Sequence, residues 1–107
     1  MINLSRCCVI TTACNRKEIC DKIIKSLLEK RLVSVCQVFD MQSTYWWEDK
    51  IVSEPEYFIQ MKTKKELFNE VKEEILKIHD YDICEIASYD LENGSDSFLN
   101  WVEYETK

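Results

Sequence analysis

Two stretches of helical periodicity, each set between short β-branched runs, constrain this 107-residue chain more than any other feature. After Asn15, with Glu18 three residues on in the manner of a capping box, Ile19, Ile23, Ile24, Leu27 and Leu28 recur at helical spacing. Lys17, Asp21, Lys25 and Glu29 take the other side, so the spacing predicts an amphipathic helix ending near Lys30. A second box, Thr63-Lys64-Lys65-Glu66, precedes the stripe Leu67, Val71, Ile75 and Ile78, a helix expected to finish around His79. Burying the aliphatic side chains of the first helix contributes about 10 kcal/mol, whereas ordering its residues costs roughly 15–30 kcal/mol. Neither helix can stand alone, and each must cover a sheet.

The strands are read from the runs between and around these helices. Cys7–Thr12 is β-branched, apolar and too short for a helix, which suits a strand buried on both faces. Val33–Asp40 follows the first helix, and Ser43–Trp47 and Lys50–Ser53 flank Glu48-Asp49, a hairpin turn that lacks the usual Gly. Glu56–Lys62 alternates, with Pro55 at its entry, and Ile83–Leu91 supplies the last strand. Asn93-Gly94 marks a turn, after which Ser95 or Ser97 caps a short helix expected to bury Phe98, Leu99, Trp101 and Val102. The order indicates one α+β domain over 1–107, a ferredoxin-like βαββαβ sandwich with an extended β-hairpin and a C-terminal helix. In that topology the first and third strands are central and the fourth lies antiparallel beside the first. Thr11–Cys14 and Asp80–Glu85 must then meet at one edge of the sheet.

Lys plus Arg number 14 and Asp plus Glu 20, a net charge of −6, which speaks against nucleic acid or an anionic membrane as partner. Hydrophobic residues make up 46%, enough for a core and too many for disorder. A chain this short still buries only about 60–70% of its unfolded surface, so oligomerisation is an expected stabiliser. Nothing at the N-terminus resembles a secretory signal: Met1–Arg6 is polar, and the apolar run Cys7–Ile10 is too short. No stretch approaches the ~20 apolar residues that span a bilayer. The six cysteines are therefore expected as reduced thiols and the compartment as cytoplasmic. Cys7, Cys8, Cys20 and Cys36 have aliphatic neighbours and read as core filler, with adjacent Cys7 and Cys8 on opposite faces of a strand.

Four segments in order resemble the CutA family of divalent-cation-tolerance proteins: Ser43-Thr44-Tyr45-Trp46-Trp47-Glu48-Asp49-Lys50, Met61-Lys62-Thr63-Lys64, His79-Asp80-Tyr81-Asp82-Ile83-Cys84-Glu85-Ile86 and Phe98-Leu99-Asn100-Trp101. Members of that family read S-x-Y-x-W-x-G-K, I-K-T, H-P-Y-x-x-P-E-I and Y-L-x-W at nearly these separations, and the likeness runs from about Val9 to Val102. The resemblance implies a PII-like homotrimer without enzymatic activity, a role in metal tolerance, and binding of copper or another divalent cation with no required cofactor. It also implies that the hairpin Val33–Lys62 reaches onto a neighbouring subunit, which agrees with the cost of leaving Tyr45, Trp46 and Trp47 in water. Asp49 stands in place of the hairpin Gly, Asp80 and Cys84 in place of two prolines, and Cys14 in place of the proline after T-A. Copper ligands assigned in bacterial relatives fall here on Thr11, Ile78 and His79, of which only His79 is retained.

Two constellations follow as candidates. Cys14, His79 and Cys84 are brought by topology to one sheet edge, and two thiols with an imidazole suit Cu(I) or Zn(II). The bland alternative has the cysteines filling former proline positions and His79 closing a helix C-terminus. Lys62, Tyr81, Glu85, Tyr45 and Trp47 form the second set, able to hold an anion or metabolite in an inter-subunit crevice, with Lys62 beside a helix N-terminus. The alternative there is an inter-subunit Lys62–Glu85 ion pair beneath a Trp–Tyr cluster. Catalysis is not expected, since no phosphate loop, no M-x-C-x-x-C loop and no third group for a Cys–His pair can be found. The functional expectation is metal-ion tolerance, its rivals being a PII-like ligand-sensing regulator and a scaffold for another protein.

Overall fold

All eight residues of β1 (Cys7–Cys14) are buried, so this strand has protein on both faces and lies at the centre of the sheet. The structure is a computed structural model describing residues 5–107; the first four residues of the polar stretch 1–6 lie outside it. After β1 come α1 (Lys17–Glu29), β2 (Val35–Trp47), β3 (Lys50–Lys64), a 3-10 turn at Lys65–Leu67, α2 (Phe68–Ile78), β4 (Ile86–Asp90) and α3 (Asp96–Glu105). The sheet order is β2-β3-β1-β4 and every neighbouring pair is antiparallel. This is the ferredoxin-like order expected, with β1 and β3 central. Thr12 sits opposite Ile86, so the end of β1 and the entry to β4 share an edge.

α1 and α2 cover one face, where Ile10, Ile23, Leu27, Ile59, Met61 and Ile75 are fully buried. Cys8 belongs to that core, whereas Cys7 points the other way, its Sγ 3.9 Å from the Leu99 carbonyl of α3. The pleat thus separates the adjacent thiols as alternation requires. All six cysteines are free. On the α3 side only Val102 of the expected set is buried; Phe98 and Leu99 are half-buried and Trp101 is exposed.

Both expected capping boxes are absent. α1 starts at Lys17 with Arg16 as N-cap and no side-chain cap, while Asn15 turns toward Glu54. Thr63 is wholly buried inside β3 and donates to the Leu32 carbonyl at 2.6 Å. Pairing of β3 with β1 runs on to Cys7 opposite Lys64, so the strand continues through the box and α2 begins only at Phe68. β4 starts three residues later than expected, because His79–Cys84 folds into a local turn in which Tyr81 N–H donates to His79 Nδ1 and Cys84 Sγ to the Tyr81 carbonyl.

The hairpin is one long β-arm in place of four short pieces. β2 and β3 pair continuously from Val35 opposite Lys62 to Trp47 opposite Lys50, turning at Glu48 and Asp49 with φ of 50° and 63°. β1 ends at Cys14, opposite Tyr57. From Met41 opposite Glu56 outward the arm is only two strands wide. Pro55 lies in this part, where β3 has lost its neighbour on one side and a missing N–H is tolerated. The projection shows in the radius of gyration, 14.8 Å, against about 13 Å for a compact domain of this size.

Candidate functional site

The pleat of β3 puts Glu54 and Glu56 on the sheet face turned away from α1 and α2, in line with Ala13 of β1 and with Ser43 across the ladder. Tyr45 and Trp47 continue that face along β2. Opposite them stands the turn before β4, and between arm and turn lies a concavity of about 670 Å³. Tyr45, Trp47, Tyr81 and Glu85 all line it, as do Glu54, Glu56 and Asp82. Among the described residues no Lys or Arg contributes to the lining.

Two phenols hold two of these carboxylates in place. Tyr45 donates to Glu54 Oε1 at 2.7 Å and Tyr81 to Glu56 Oε2 at 2.8 Å. The hydrogen bond to Glu54 pushes the Tyr45 phenol up to about 12. Burial, and then the bond to Glu56, raises Tyr81 above the ordinary phenol value. Glu54 and Glu56 are absent from the sequence-based set. Their signal was period two, since residues on either side of Pro55 share a face once β3 is known to run unbroken.

Lys62, expected in this set, lies elsewhere in the chain. It shares the face of Glu56 but sits six residues further along β3, about 20 Å away. Its Nζ donates to Gln37 Oε1. Nor does it precede a helix N-terminus directly, since β3 continues to Lys64. Within one chain the aromatic and acidic members of the expected crevice come together without its cation.

Cys14, His79 and Cys84 reach the same edge but not one coordination sphere; among the described residues no group of three or more His, Cys, Asp or Glu converges to hold a metal. His79 is fully engaged. Its Nδ1 accepts from Tyr81 N–H at 3.2 Å, so Nε2 carries the proton and donates to the Ala13 carbonyl at 2.6 Å. Both ring nitrogens are thus spent on tying the end of α2 to the end of β1. Burial pushes the Cys14 thiol up to about 12, and burial also raises Cys84. Neither sulfur is thiolate near neutrality, the form that ligates metal or attacks a substrate.

The family model of the CutA1 divalent ion tolerance protein matches residues 8–105. The divalent-cation tolerance protein CutA of Pyrococcus horikoshii is 34% identical over 90 residues, which cover 84% of this chain and 88% of its own. A crystal structure of CutA1 from the same organism superposes with a TM-score of 0.89 at 31% identity, over 94% of this chain and 98% of that one. The structure of a periplasmic divalent cation tolerance protein CutA from Archaeoglobus fulgidus gives a TM-score of 0.91 at 32% identity, over 94% and 99%. Among the described residues no helix is long and apolar enough to cross a membrane. The matched segments include the arm, the 79–86 turn and the terminal helix, and the chain belongs to the CutA divalent-cation tolerance family.

Proposed function

We propose that this chain acts as a non-enzymatic homotrimer in divalent-cation tolerance, in the cytoplasm, holding copper or another divalent ion with ligands drawn from more than one copy. The observation that carries this reading is the arm. Trp46 is 72% exposed and Ile51, its cross-strand partner, 66%, at the end of a two-stranded ribbon that has no cover of its own. An isolated hairpin is marginal in water, and contiguous exposed apolar surface marks an interface. Relatives named for divalent-cation tolerance supply the functional half of the reading. The acidic balance of the chain favours any such cation.

Calorimetric titration with Cu(II) and Zn(II) tests the proposal. Saturable binding at a whole-number ratio per trimer, lost in an Ile51→Glu variant that separates the copies, is the expected result. Absence of saturable binding, or undiminished binding by the separated variant, contradicts it.

A further inference from the structure

We propose that Cys14 and Cys20 form a two-coordinate site for a soft monovalent cation, Cu(I), inside one copy of the chain and beneath the start of α1. The site lies in the core on the helix side of the sheet, so it depends neither on the arm nor on the divalent-ion binding proposed above.

Topology brings the two thiols together. β1 ends at Cys14, the chain turns through Asn15 and Arg16, and Cys20 closes the first turn of α1. Both residues are buried in the cluster beneath the helices. The Arg16 carbonyl accepts from Cys20 N–H at 3.1 Å and lies 3.9 Å from Cys14 Sγ, and the two thiols share a hydrogen bond. Adjacent Cys7 and Cys8, by contrast, are parted by the pleat.

The class of ion follows from the number and kind of donors. Thiolate sulfur is soft and selects Cu(I) over the harder divalent ions. Two sulfurs complete a linear Cu(I) site, whereas structural Zn(II) takes four ligands, and no group of three or more ligating side chains converges among the described residues. Entry runs through the first turn of α1, whose N-cap Arg16 makes no side-chain cap bond. A helix end without that bond opens more readily than the helix interior. On binding, each S–H bond gives way to an S–Cu bond, two protons pass to solvent, and copper stays in the Cu(I) state. The resulting dithiolate complex carries one negative charge, which the N-terminal end of α1 favours. Burial raises both thiols, so both enter the reaction protonated near neutrality. The charged and titratable groups around them are Glu56 of β3, Lys17 and Asp21 of α1, Tyr81 of the turn before β4 and, beyond Cys20, Cys36 of β2.

The test is an anaerobic titration of the full chain, in its native assembly, with Cu(I) supplied as its acetonitrile complex against the chelator bicinchoninate. The chain is expected to retain one Cu(I) per copy, with an affinity that rises about 100-fold per pH unit around neutrality because two protons leave. Cys20→Ser and Cys14→Ser should each weaken binding by at least about 100-fold. The pH slope is read on the unaltered chain and decides the matter should either variant fail to fold. Cys84→Ser, at the same sheet edge but outside the pair, should leave binding unchanged. No Cu(I) retained against the chelator, full affinity in a folded Cys20→Ser variant, or a rise of about tenfold or less per pH unit overturns the proposal. Cu(I) affinity should survive in Ile51→Glu, the variant expected to lose divalent-ion binding, so either proposal can fail alone.

Discussion

At His79 the position of one proton decides what the ring can do. Because Tyr81 N–H donates to Nδ1, Nε2 must donate to Ala13, and the neutral imidazole becomes a strut between α2, β1 and the 79–84 turn. His79→Ala leaves a buried carbonyl and an N–H without partners. We expect a loss of about 2–3 kcal/mol in urea unfolding, together with a looser wall of the concavity. A loss under about 0.5 kcal/mol would remove the strut from the account. The phenols supply a pH signature. Tyr45 and Tyr81 are both raised above the ordinary phenol value of 10.0, so the folded chain keeps protons that the unfolded chain releases in alkali. Their stabilising contribution is whole below pH 10 and declines as the pH rises through about 12, where Tyr45 titrates. Ultraviolet titration should show two of the five tyrosines ionising late, and Glu54→Gln should return Tyr45 toward the ordinary value.

At the scale of the elements, the arm turns on two residues in the left-handed region, Glu48 and Asp49, neither of them Gly. A hairpin turn of this handedness favours Gly at its second position, so Asp49→Gly should stabilise the chain by about 1 kcal/mol, visible as a higher melting temperature. A fall in melting temperature would mean that the Asp49 side chain holds the turn in another way. The same residues show why element order was legible and boundaries were not. Apolar spacing over Ile19–Leu28 and Leu67–Ile78 is a property of the segment itself, so both helices could be read directly. Whether Thr63 caps a helix or extends a strand depends on Cys7 and Cys8 lying beside it, more than fifty positions away, and there the sheet ladder overrides the local motif. The site was half legible for a related reason. Tyr45, Trp47, Tyr81 and Glu85 sit in recognisable motifs, whereas Glu54 and Glu56 join them only because β3 is long and unbroken, and the same length carries Lys62 away.

At the scale of the whole molecule, the arm carries apolar surface that nothing else in the chain covers. Its body has a core closed by α1 and α2, but the arm extends the longest dimension to 50 Å, against 27 and 22 Å for the others, with its aromatic tip in solvent. Val38 and Phe39 are also exposed, on the outer edge strand β2, which pairs only with β3 and carries a single charged residue, Asp40, where soluble monomers ordinarily blunt an edge with charge. Both features are explained together if sister copies cover the arm and the edge. Sedimentation equilibrium at low micromolar concentration measures this directly. A single species of three times the 12.8 kDa chain mass is the expected result; a folded species of 12.8 kDa with a cooperative melt would contradict the trimer.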